Sequence, residues 1–440
     1  MKHKLFAALF LSICFSNITF AQEEEVSLEQ VIALALEKNY DVQLARNVES
    51  AASLDNQYSI GGLIPQINGT GSKMWNVNDQ KQILSDNSQR GGNGVQSTTT
   101  NAAVQLTWTL FDGTKMFATR ERLEEIATQG EMLLKDQMVN TIASIITNYY
   151  NIVRQKQQLK AIHEQMSVSE ERVKLADRKL QVGTGIKPEL LQAKVDMNAL
   201  RTQVLQQKTI IDQLKDQLNG LVGMQLPKVY DVPDTILIDL NLKREDIELN
   251  IENANYSLQS FRQNLAITKL ALRERRGELF PVINFNSAYN FNRTDTKVAV
   301  SNLSTLLNQN KGFNYGFSVT MPILNGFNRR RLVQQAKITY NYQQITYDQQ
   351  KMVVDVQLRN AFVSYENAKE ILQIQEENIG LAKENVFIAL EGFKRGVTTF
   401  IELRTAQQSL ADAYNSLILS RYNAKVAETE LLRLNGGLLK

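Results

Sequence analysis

Two carboxylates occupy matched places in this chain. Glu189 and Glu402 each follow a glycine by six positions, Gly183 and Gly396, and each is followed at once by leucine. Carboxylates can serve acid–base chemistry, metal ligation or simple charge, and their neighbours decide among these. His163 is the only histidine beyond residue 3, and no HExxH pattern surrounds it. Cys14 is the only cysteine. A transition-metal site would therefore need carboxylates alone. No GxxxxGK[ST] phosphate loop is present, and Gly183-Thr184-Gly185 lacks the third glycine and the preceding strand of a dinucleotide fingerprint. The expectation is no catalytic residue, no cofactor, no metal and no enzyme. What remains for Glu189 and Glu402 is charge, held at a defined place.

The place is defined by what flanks them. Residues 393–406, FKRGVTTFIELRTA, match residues 180–193, LQVGTGIKPELLQA, at an offset of 213. In both, a long helical pattern breaks at a glycine and restarts behind an acidic residue. Glycine accepts positive φ without steric cost, and an acid in a first turn offsets the helix dipole. Each stretch reads as the tip of an antiparallel helical hairpin. Beyond the first tip runs a seam of Leu190, Ala193, Met197, Leu200, Val204, Gln207, Ile211, Leu214, Leu218 and Leu221. Every member has a counterpart 213 positions on, from Leu403 to Leu434. Steps of three and four mark a coiled-coil-like helix.

The remaining elements follow in order. Ser27 to Gln30 is a capping-box pattern opening a helix expected over 27–60. Gly61-Gly62 and Pro65 end it. Strands are expected at 66–76 and 98–110, with a polar loop rich in Asn, Ser and Gly between them. A helix follows to about 181, then the tip, then a helix over 188–221. After a linker at 224–240 the program repeats. Asn255-Tyr256 copies Asn39-Tyr40, and Pro281 copies Pro65, at an offset of 216. Strands are expected at 282–292 and 313–321, Gly326 copies Gly113, and a helix runs over 328–392. The expected division is a leader at 1–21, a first repeat at 22–223 with its hairpin at 66–110, the linker at 224–240, and a second repeat at 241–440 with its hairpin at 282–323. The chain is an internal duplication.

Lys2 and Lys4 precede an apolar run over 5–15, and small residues, Thr19 and Ala21, stand where a secretory signal would be cut. Cys14 lies inside that leader behind Ile13, not behind the small residue that precedes a lipidated cysteine. The mature chain would carry about +1, which argues against a nucleic-acid partner.

The two long helices would each span ~100 Å, and two of the shorter ones laid end to end equal one of them. Linker and N-terminus are expected to meet at a waist. The strands alternate: Ile283, Phe285, Tyr289 and Phe291 against Asn284, Asn286, Asn290 and Asn292. That suits a barrel with lipid outside and water inside, and equally a half-buried antiparallel sheet. Four strands cannot close a barrel, so a barrel would have to be shared between chains.

These features resemble the TolC-like outer-membrane efflux family. The resemblance covers residues 26–437 and rests on the duplication, the two strand hairpins, and the tip motif as it stands here: Leu180, Gly183, Glu189-Leu190, Ala193 and Phe393, Gly396, Glu402-Leu403, Ala406. It implies a mainly α fold with a small β part: a long α-helical coiled-coil barrel in the periplasm, and a 12-stranded transmembrane barrel shared by a homotrimer. It implies an exit duct in the outer membrane, opened when a periplasmic adaptor and an inner-membrane transporter dock at the tip. Glu402 matches an acidic constriction residue. Thr405 stands where the family often has a second carboxylate. Glu189 matches an acid that meets the neighbouring hairpin. Gly183, Gly396, Phe393, Lys394, Arg395 and Arg178 fall in the tip expected to dock the adaptor. Phe393 and Thr398 stand where the family's latch has tyrosine and a basic residue, so that latch is not reproduced. The plainer reading of Glu402 is a helix-start carboxylate, and the alternative for the whole chain is a secreted or periplasmic coiled-coil structural or scaffold protein, which would explain the helices and the leader but not the paired aromatic hairpins.

Overall fold

The computed structural model describes residues 24–248, 251–297 and 304–439; the expected leader and Cys14 lie outside them. The helices of more than five residues are α1 (Leu28–Lys38), α2 (Tyr40–Gln57), α3 (Lys115–Gln181), α4 (Lys187–Leu221), α5 (Tyr256–Gly277), α6 (Asn328–Arg395) and α7 (Phe400–Leu434). The strands are β1 (Gln66–Ile83), β2 (Gln89–Phe111), β3 (Val282–Thr296) and β4 (Leu307–Thr320). The chain divides into two compact units. One comprises the described part of 1–48 with 132–259 and 350–440, and the other 49–131 with 260–349.

The first unit is helical. The seam of α4 is its buried face, and Ala193, Ile211 and Leu218 are buried together with their copies Ala406, Ala424 and Leu431. Around Ile145 and Ile152 of α3 gather Val31 and Ala35 of α1, Leu218 of α4, and Tyr230 and Val232 of the linker. The linker meets the first described residues here, because Glu24–Glu25 pairs in parallel with Tyr230–Asp231. Lys156 fixes the linker with ion pairs of 2.8 Å to both Asp231 and Asp234. Burial works against its charge, but those two carboxylates outweigh it and raise its pKa.

The helix expected over 27–60 is two helices, divided at Asn39 with φ −63° and ψ 130°. A short polar side chain can take the bare N–H groups of a helix start for itself. Asn39 Oδ1 accepts from the amides of Asp41 (2.9 Å) and Val42 (3.2 Å), and its Nδ2 donates to Leu221 O (2.8 Å) at the end of α4. Its copy Asn255 repeats the arrangement, taking the Leu258 amide at 2.8 Å and giving Nδ2 to Leu434 O at 2.9 Å. One side chain thus starts one helix and finishes another. Asn255→Ala is expected to cost about 1–3 kcal/mol in denaturant unfolding, with Asn255→Asp intermediate because it keeps the cap and loses the donor. Unfolding unchanged in Asn255→Ala would contradict this role.

The second unit carries the sheet, a meander in the order β1-β2-β3-β4 with every pair antiparallel. Both strands of the first hairpin run further than expected: most of the anticipated polar loop is paired strand, closed by a turn at 84–88. Glycine makes this possible. Gly91 faces Lys81 so closely that a Cβ would strike the Gln80 carbonyl, and Asp79 takes the Gly94 amide at 2.7 Å where the register shifts.

Trp108 stands opposite Phe285, Phe285 opposite Phe317, and Tyr289 opposite Phe313, so the aromatics share a face. That face is uncovered: Phe313 is 66% exposed and Phe317 71%. Among the residues of β1 to β4 only Val95 is buried. A half-buried sheet in water would pack its apolar face against a core; among the described residues this one has none beneath it. No described helix is long and apolar enough to cross a membrane.

Candidate functional site at the paired helical tips

Both tips turn at a glycine in left-handed backbone, Gly183 at φ 79° and Gly396 at φ 77°. A Cβ there would be strained whatever the space around it. The turns also close in similar ways: Thr184 and Gly185 donate to Lys179 O, and Val397 and Thr398 donate to Gly392 O.

The restarts differ. Before α4, Ile186 provides no side-chain cap, Pro188 occupies the first turn, and half-buried Glu189 makes no side-chain hydrogen bond among the described residues. Before α7, Thr399 and Glu402 form a complete capping box. Glu402 Oε2 accepts from Thr399 N (2.7 Å) and Oγ1 (2.9 Å), and Thr399 Oγ1 accepts the Glu402 amide (3.2 Å). The Thr399 amide and then its hydroxyl hold the Glu402 carboxyl below the usual range. The capping role and a negative charge facing solvent are compatible, because a box uses one carboxylate oxygen. Thr405 turns its hydroxyl onto its own helix at Ile401 O (3.0 Å).

The other candidate residues separate by exposure. Gly183, Gly396, Lys394, Arg395 and Arg178 are exposed, and Lys394 pairs with Glu391 at 2.7 Å. Phe393 is buried against Phe400, their ring centroids 6.4 Å apart, so it supports the tip from within. Lys179 Nζ sits 3.7 Å from the Phe393 ring centre and donates to Phe393 O at 3.3 Å. A cation over an aromatic face is attracted by its quadrupole. In this way Lys179 of α3 holds the end of α6.

A polar cluster behind the tips escaped the sequence reading. Arg172 of α3 is 2% exposed. Its Nη2 lies 2.6 Å from Asp196 Oδ2 on α4, its Nη1 donates to Gln407 Oε1 on α7 at 2.9 Å, and its guanidinium lies 5.2 Å from the Phe400 ring centre. Arg404 Nε adds a second pair to Asp196 at 3.2 Å, and Gln192 donates to it at 2.8 Å. Burial pushes the Arg172 pKa down, and Asp196 opposes it. Arg172 stands next to half-buried Val173 and three residues after buried Ser169 on α3; a cation beside the apolar face of a long helix was the only signal for it. Among the described residues no group of three or more His, Cys, Asp or Glu side chains is placed to hold a metal. The arrangement supplies shape and charge.

The profile of a protein family described as "Outer membrane efflux protein" matches residues 31–224 and 249–437. No curated protein matches the chain significantly in sequence. Several solved structures share its fold. The CmeC outer membrane channel of Campylobacter jejuni superposes with a TM-score of 0.78 at 18% identity, over 96% of this chain and 90% of that one. The outer membrane protein VceC of Vibrio cholerae gives 0.77 at 13% identity, over 93% and 96%. The open state of the Neisseria gonorrhoeae MtrE channel gives 0.74 at 16% identity, over 96% and 95%.

Proposed function

Because this chain belongs to the outer membrane efflux protein family, which matches both of its halves, we propose that it is the exit duct of a tripartite efflux or type I secretion system. It is an outer-membrane channel protein with its helices in the periplasm, and it is not an enzyme. The observation that carries the finer reading is the sheet. Its aromatic face is uncovered, and the outer edges of β1 and β4 have no partner strand among the described residues. Lipid satisfies the apolar face, but an open strand edge in lipid leaves backbone groups unpaired at several kcal/mol each. Three copies would supply twelve strands and close the edges, with a lumen that eight strands would not leave open. Strands of 14 to 23 residues exceed the 9–11 or so that a tilted strand needs to cross a bilayer.

The tips are the docking end in this reading. Gly183 and Gly396 shape them, and Arg178, Lys394 and Arg395 offer cations to a periplasmic adaptor and the inner-membrane transporter behind it. Cargo passes without chemistry, so its choice rests with the transporter. Detergent extraction from outer membranes, followed by single-channel recording, tests the proposal: a conducting pore supports it, and a protein released by salt without conductance defeats it.

Glu402 is assigned to a ring of three carboxylates at the closed end, with Thr405 and Glu189 beside it. Like charges brought around one axis attract divalent cations. Glu402→Gln is expected to weaken divalent block of the conductance by about tenfold. The depressed pKa gives the sign with pH. The charge, and the capping contribution with it, is present above the ordinary carboxylate range and is lost only as pH falls through the lowered value. In the single chain that contribution should therefore persist through mild acidification; divalent block that is unchanged in the Glu402→Gln variant would remove the ring.

A further inference from the structure

We infer that two copies of the chain join their sheets in the same register that the chain already uses between its own halves. This rests on the trimeric reading and names its seam. Inside the chain, β2 of the first half pairs with β3 of the second: Thr107 opposite Asn286, Val104 opposite Tyr289, Ala102 opposite Phe291. Strand β2 has its copy in β4, 213 positions on. The turn after β2, Gly113 and Thr114 at φ 73° and 68°, recurs after β4 as Gly326 and Phe327 at 63° and 61°. Strand β3 has its copy in β1, 216 positions back, marked by Pro281 and Pro65. Applying both offsets to the internal junction gives the external one. Thr320 of one copy lies opposite Thr70 of the next, Phe317 opposite Lys73, and Tyr315 opposite Trp75.

Two observations not used in that construction agree with it. The first is facing. Residues run straight across the sheet in rows, Gly69–Val104–Tyr289–Phe313 and Gly71–Ala102–Phe291–Lys311. Odd positions of β1 and of β4 therefore share the aromatic face, and the inferred register places Trp75 beside Tyr315 on it. A slip of one residue would turn Trp75 towards the polar side. The second is empty space. At the internal junction Gly113 and Gly277 pack so tightly that a Cβ on Gly113 would strike the Gly277 carbonyl and come within 2.8 Å of Phe280 Cβ. Their copies are Gly326 and Gly61, at the two outer edges, and neither has anything within 4 Å of a built Cβ. The bare backbone needed for a close approach is present at both edges. In the assembly it is filled by the neighbour, Gly326 against Gly61.

Cysteine cross-linking tests the register in the full chain with Cys14→Ser. Residues directly opposite in an antiparallel pair have Cα atoms about 4.5–5.5 Å apart, within disulfide reach. Thr70→Cys with Thr320→Cys is expected to oxidise to covalent dimers and trimers at least about tenfold more than Met74→Cys with Thr320→Cys, whose Cα atoms lie roughly 13 Å apart along the strand. Equal or reversed yields in a protein that is still trimeric in detergent would overturn the register while leaving the trimer standing. A monomer in detergent would overturn both. Gly61→Leu supplies a second reading, because the single chain has room for the side chain. Its trimer should fall apart at lower temperature in dodecyl sulfate; a trimer as resistant as the parent's would overturn the glycine contact.

Discussion

Asp196→Ala is expected to be the most damaging single change in the helical unit, at about 3–5 kcal/mol, because it strands a buried cation. Arg172 has a side chain 3% exposed, and its carboxylate partner lies 2.6 Å away. Removing that partner leaves the charge facing Phe400 and the amide of Gln407, neither of which can neutralise it. Exposed pairs such as Arg359 with Asp355 should contribute under about 1 kcal/mol, which separates burial from mere pairing. The loss should be local. Hydrogen exchange should quicken along 168–200 and 400–411 while the sheet keeps its protection, because the cluster ties α3 and α4 to α7 and touches nothing in the strands. Arg172→Met in the Asp196→Ala background should recover most of the loss, since the unpaired charge is the cost and methionine fills similar volume. A loss below about 1 kcal/mol, or no rescue, would mean that the pair is screened by water and does little.

Phe313→Arg should be the most damaging change in the sheet unit. Phe313 lies midway along β4 on the uncovered aromatic face, opposite Tyr289. An arginine on the lipid face near the bilayer centre costs about 2–4 kcal/mol. Asn314 is the next residue and faces the other way, so Asn314→Arg should cost under about 1 kcal/mol, the lumen side being wet. Folding the three proteins into vesicles and titrating with denaturant gives the comparison. Were the sheet to sit in water, both substitutions would be near neutral, so a small and equal effect contradicts the membrane assignment.

Why some features could be read from the sequence and others not comes down to range. The long helices, the alternating strands and the duplication are local signals repeated many times. The α4 and α7 seams recur in phase from Leu190 and Leu403 to Leu221 and Leu434, so the buried stripe of a coiled helix could be drawn from spacing. Exposure of the apolar face of the sheet could not be drawn in this way, because period two is the same in lipid and in water. The break at Asn39 was signalled by the repeated Asn-Tyr pair, but its meaning was not. What stops the helix is an amide reaching Leu221, far along the chain, which only folding brings near. Gly91, Gly92 and Gly94 looked like loop because glycine usually loosens a strand; here Gly91 approaches Gln80 too closely for a Cβ.

The tip divides along the same line. Its turns were visible as glycines, and Glu402 as a first-turn acid. Arg172 and Asp196 were not visible, for a specific reason: their positions 213 on hold Asn385 and Ser409. A reading built on what the two halves share passes over a contact that only one half makes. Phe393 was assigned by resemblance to the docking surface, and the structure buries it under Lys179 and Phe400.

Beneath all of this lies one physical statement: the sheet of a single chain cannot be sealed, so copies must complete it. Native mass spectrometry of the detergent-extracted protein counts them directly. Three chains in one particle, resisting dissociation until the detergent is made denaturing, is the predicted outcome. A single chain of one mass, staying in solution once detergent is withdrawn, would contradict the shared barrel and the duct built on it.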